Sequence, residues 1–118
     1  MATFAAIDCH LIALLARVTT ESNLGASGPK LVQNLSKAKD AEEAGASACA
    51  ASDLKLARQR LKQAIRDMID YAHHLQTHRA RKKLPEALRT DLLAAGNPIT
   101  DDAKSLRDTV ECPADALQ

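Results

Sequence analysis

The sequence predicts an all-α fold, an up-down-up-down four-helix bundle, on three observations. From Leu54 apolar residues recur every three or four positions (Leu54, Ala57, Leu61, Ala64, Met68, Tyr71, Leu75) and reach His78, which marks one face of a long helix. No stretch alternates apolar and polar residues over strand length, and β-branched residues are few and scattered. The connections between periodic stretches are short, which makes successive helices antiparallel neighbours.

In the first helix, Phe4, Ile7, Leu11, Leu14, Leu15 and Val18 keep helical spacing and Ile12 is expected to broaden their face, so the helix is expected from Thr3 to about Ser22, with Thr3 as its cap. Asn23, Gly25, Ser27 and Gly28 form a turn, and Pro29 suits the first helical position because its missing N–H is an orphan there anyway. The second seam, Leu31, Leu35, Ala38, Ala41, Gly45 and Ala48, consists mostly of small side chains. These allow close backbone approach but bury little area, about 0.8 kcal/mol per methylene, so this helix is expected to fray beyond Gly45.

The third helix is expected from Leu54 to Arg81, capped by Ser52 or Asp53 and stopped before Pro85. Ile65 and Ala72 widen its stripe, while Lys55, Gln59, Lys62, Arg66, Asp70 and His73 fall on the opposite side. Such a rod is about 40 Å long at about 1.5 Å per residue and requires other rods alongside. The fourth seam runs Leu84, Leu88, Leu92, Ala95, Ile99, Ala103, Leu106 and Val110. Gly96, Asn97 and Pro98 interrupt it without shifting its register, which predicts a fourth helix kinked or broken at Gly96–Pro98. Residues 1–112 therefore read as one domain, and 113–118 as a loose tail.

The 118 residues are 46% hydrophobic but only 2% aromatic, so the core is aliphatic and a site built on aromatic stacking has little material. Sixteen basic and 15 acidic residues leave a net charge of +1, without the positive excess that marks a dedicated nucleic-acid or anionic-membrane binder. The apolar stretch Leu11–Ala16 lacks a preceding basic region and follows Asp8 and His10, so it reads as core helix and not as a leader. No run approaches the roughly 18 apolar residues of a membrane span.

Bundle topology puts Cys9, Cys49 and Cys112 near one end. Cys49 with Cys112 is the first pairing, since both lie on flexible ends; Cys9 with Cys112 is the second; three reduced thiols in a cytoplasmic protein is the third reading. His74 and His78 have the i, i+4 spacing that lets two imidazoles meet one metal, but no carboxylate or thiol at ligand spacing completes the set, and no cofactor is expected. The block Arg79, Arg81, Lys82, Lys83 has no interleaved aromatics and ends a helix where cations are favoured, so no nucleic-acid partner is expected. The adjacent acids Asp101 and Asp102, and Glu42 and Glu43, read as solvated face residues, since neighbours in a helix point in different directions. Phosphate loops, nucleophile elbows and calcium loops are absent from the sequence, so no enzyme is expected.

The stretches IDCHLIALLARV, NLSKAKDAEEA, SDLKLARQRLKQAIRDMIDYAHHL and SLRDTVECPAD together resemble uncharacterised helical modules of secreted or surface proteins of bacteria, and are loosely similar to FIVAR-type modules of cell-envelope proteins. The resemblance implies an exported, non-catalytic module and favours a disulfide. The expected function is a structural or protein-interaction module of an extracellular or envelope assembly, taking a protein partner or a second copy of itself. The alternative is a metal- or cofactor-binding bundle using His74 and His78.

Overall fold

The computed structural model describes residues 2–113, and among them every regular element is an α-helix. There are five: α1 (Phe4–Thr20), α2 (Ser27–Ala50), α3 (Leu54–Leu75), α4 (His78–Lys83) and α5 (Glu86–Thr109). From residue 114 on, the expected tail lies outside the described residues.

Three of the five starts carry a side-chain cap. The Thr3, Asp53 and Thr77 oxygens accept hydrogen bonds from the backbone N–H of Ala6, Leu56 and Ala80 at 3.1, 3.1 and 3.2 Å. The third cap corrects the expected third helix, which stops at Leu75 and not at Arg81. Thr77 donates its hydroxyl proton to the His74 carbonyl at 3.0 Å while accepting from Ala80, so one side chain satisfies the end of α3 and the start of α4. After this break Ala80 and Leu84 enter the core, and His78, which the straight seam would have buried, lies exposed.

Among the described residues Ser52 is the one non-glycine residue at positive φ, 65°. Its N–H donates to the Cys49 carbonyl at 2.9 Å, and that of Asp53 to the Ala48 carbonyl at 2.8 Å, the double bond of a left-handed helix stop. Ser52 thus ends α2 and Asp53 begins α3. This stop carries α2 past Gly45, where fraying was expected, to Ala50. α2 also starts earlier than expected, at Ser27, with Pro29 inside its first turn.

One core cluster draws on all five helices. Small residues set how closely the helices approach. A Cβ at Gly45 would stand 3.1 Å from a Phe4 ring carbon and 3.4 Å from the Ala57 carbonyl, so the end of α2 lies tightly between the starts of α1 and α3. At Gly96 the fit is closer still. A Cβ there would sit 2.6 Å from Cε1 of Tyr71, a fully buried ring whose hydroxyl donates to the Leu92 carbonyl at 2.9 Å. Burial raises the Tyr71 pKa, so the phenol stays protonated and remains a donor. α5 is continuous through Pro98, without the break that was one of the two expected outcomes. Leu92, Gly96, Ile99, Ala103 and Leu106 all bury one face of it, and the Thr100 hydroxyl donates to the Gly96 carbonyl at 3.3 Å beside the proline.

Gly96→Ala should therefore destabilise the protein by about 1–3 kcal/mol, although alanine in a free helix is favoured over glycine by about 1 kcal/mol. Urea unfolding measures this; a more stable variant would contradict the close seat of Tyr71.

Candidate functional site

α1 is apolar on both sides. Its inner face, Ile7, Leu11, Leu14 and Val18, is buried. Its outer face carries Ala5, Cys9, Ile12, Ala13 and Ala16, all exposed and none charged, with Ile12 at 47% exposure. Ala5, Cys9, Ile12 and Ala16 are spaced four, three and four apart, the repeat that keeps one line of a helix facing a second helix.

The outer face continues into a cleft of about 340 Å³ between α1 and α5, walled by Ala13, Leu14, Ala95, Pro98 and Ile99. His10 and Arg17 stand at its edges, and Arg17 pairs with Asp91 at 3.8 Å across the two helices. Both partners are exposed, so this ion pair adds little stability. Together the outer face and the cleft form a mainly aliphatic surface with His10 and the Arg17–Asp91 pair at its margins. Such a surface can accept a helix.

The acidic residue of α1, Asp8, points the other way. Its Oδ1 is buried, as is Oε1 of Glu42 on α2, and neither atom has a hydrogen-bond partner among the described residues. Glu42 is 1% exposed, which overturns its reading as a solvated face residue; Glu43 is half-buried and bonds Lys39 at 3.1 Å. Burial first, and then the neighbouring Asp8 carboxyl, push the Glu42 pKa up to about 9. Two ionised carboxylates would leave both inner oxygens without a donor. A proton on Glu42 turns one of two acceptors into a donor, which removes the conflict between them. Of the other acid pair, Asp101 is exposed and Asp102 half-buried.

The structure joins Cys49 and Cys112 in a disulfide with Cα atoms 4.8 Å apart, and leaves Cys9 free and exposed on the outer face of α1. His74 and His78 fall on opposite sides of the helix break. His74 ends α3 half-buried, with Nε2 unpartnered and its pKa lowered by burial and then by Lys30 and His73; His78 begins α4, exposed. Among the described residues no three histidine, cysteine or acidic side chains gather as metal ligands do. Arg79, Arg81, Lys82 and Lys83 are exposed on α4, and none of them meets a carboxylate among the described residues.

No helix among the described residues is long and apolar enough to cross a membrane. Sequence reasoning missed the outer face of α1 and the burial of Glu42. Their signals were present: the Ala5, Cys9, Ile12, Ala16 repeat, and the same spacing in Ala38, Glu42, Gly45, Cys49. The chain matches no family model, and neither a curated protein nor a solved structure matches it.

Proposed function

We propose that the chain is a non-catalytic interaction module, an up-down-up-down bundle of α1, α2, α3 and α5 that self-associates through the outer face of α1. The observation that carries this reading is the exposed, uncharged repeat Ala5, Cys9, Ile12, Ala16 running into the cleft beside α5. The alternating directions are supported by the contacts of Gly45 with Phe4 and Ala57, of Gly96 with Tyr71, and of Arg17 with Asp91. A bend in α5 is supported by Pro98, which offers no N–H to the Ala94 carbonyl. The Cys49–Cys112 disulfide fits an extracellular or envelope setting, where such bonds persist, and with it the resemblance to exported helical modules.

One helix face falls short of the ~800 Å² per partner of a standard interface, so the association is weak and reversible. Light scattering should show the mean mass rising with concentration for the wild type and staying at one chain for Ile12→Glu, with equal helicity by circular dichroism. A wild type that stays monomeric up to about 1 mM, where a Kd corresponds to only about 4 kcal/mol, would refute the reading.

A further inference from the structure

The basic block at the end of the bundle takes no part in the function just proposed. α4 sets Arg79 and Lys83 one helical turn apart, facing the loop that joins α1 to α2. The two side chains and Leu24, Gly25, Ala26 and Ser27 line a cleft of about 470 Å³, within the size range of small-molecule sites. We propose that this cleft binds the phosphate group of a small anionic ligand.

Three observations carry it. First, Arg79 and Lys83 are without a carboxylate partner among the described residues, and no acidic side chain lines the cleft. Second, Ser27 is only 6% exposed, lines the cleft, and its hydroxyl makes no hydrogen bond among the described residues. The hydroxyl is not among the fully enclosed atoms that lack a partner, so it opens onto the cleft and is free to donate there. Third, Ser27 opens α2, whose capping position is held by Ala26 with no side-chain bond, so the positive end of a 24-residue helix faces the same space.

The division of labour follows from the geometry. The N–H groups of Ser27 and Gly28 already donate to the Leu24 and Gly25 carbonyls at 3.0 and 3.3 Å, and Pro29 has none. The helix therefore supplies its field, Ser27 supplies a hydroxyl donor, and the two cations on α4 supply charge. Arg79 presents a planar fork matched to two phosphate oxygens, and Lys83 a point charge. Leu24, almost fully buried, together with Gly25 and Ala26 leaves an uncharged wall for the remainder of a ligand.

Titration calorimetry at low salt, with inorganic phosphate and with glucose 6-phosphate as separate probes, tests the site on the whole chain. At least one probe should bind with Kd of about 1 mM or tighter, and amide shifts in NMR spectra should concentrate at Ser27 and along α4. Tighter binding of the sugar phosphate identifies a monoester as the ligand class, and equal affinity identifies free phosphate. Arg79→Gln with Lys83→Gln should weaken binding at least about tenfold and Ser27→Ala about threefold, in proteins of unchanged helicity, whereas Arg81→Gln with Lys82→Gln, which removes the same charge outside the cleft, should change it less than about twofold. Absence of binding for both probes, or equal losses in the two double variants, overturns the site. Ile12→Glu should bind phosphate as the wild type does, so the failure of one reading is separable from the failure of the other.

Discussion

Glu42→Gln is expected to stabilise the protein at pH 8 by roughly 3 kcal/mol and to flatten its stability between pH 5 and pH 9. In the wild type Glu42 carries a proton in the folded state up to about pH 9, whereas the unfolded chain releases it near its ordinary value of 4.5. A carboxyl whose folded pKa is raised contributes its full stabilisation below the unfolded pKa and loses it as the pH climbs through the folded one. Between those values stability falls by at most about 1.4 kcal/mol per pH unit, because folding must take up one proton. Glutamine cannot ionise and, like the protonated acid, offers a donor at this position, so the slope is removed along with the cost. The groups that face Glu42 are Asp8 from α1 and Glu43 and Lys39 from α2; Lys39 opposes the shift but is engaged with Glu43. Urea unfolding of both proteins at several pH values gives the comparison. Parallel pH profiles, or a variant less stable at pH 8, would show that Glu42 is ionised in the folded protein and would remove the shared proton.

Loss of the Cys49–Cys112 bond should cost about 4 kcal/mol, a large share of the 5–15 kcal/mol that holds an ordinary domain together. The two cysteines are 63 residues apart, and the loop they close contains α3, α4 and α5. Cross-linking a loop of that length removes much of the freedom of the unfolded chain. The bond also ties the end of α2 to the segment after α5, two helices that each pack on α3. With Cys9 alkylated beforehand to prevent exchange, Cys49→Ser combined with Cys112→Ser should shift the urea midpoint markedly downward while the helicity of the folded state persists. An unchanged midpoint would mean that the bond does not form in solution.

The helical class and most of the core were legible because the aliphatic seams are long and regular. Leu61, Met68 and Leu75 are buried where periodicity put them, and Thr3 and Asp53 cap where their side chains suggested. The break at Thr77 was not legible, since the apolar spacing runs on to His78, and only the burial of Ala80 and Leu84 makes the alternative favourable. Glu42 was misread for a related reason. A charged residue on a seam of small residues looks like solvent-facing decoration until a neighbouring helix supplies an acceptor, and nothing in sequence places Asp8 opposite it. Reading α1 by its leucines alone hid the second face, whose alanines and Cys9 carry a weaker but equally regular signal. The overall charge of +1 likewise conceals a cluster of cations on α4 that no acid among the described residues neutralises.

Cys9 reports directly on the surface at the centre of this account, being both the free thiol and a member of the outer repeat of α1. Its alkylation rate should fall several-fold as the protein concentration is raised from about 1 µM to about 1 mM, and Ile12→Glu should abolish that fall. A rate that stays constant across the series would show that the outer face of α1 remains open to water, and would contradict self-association through it.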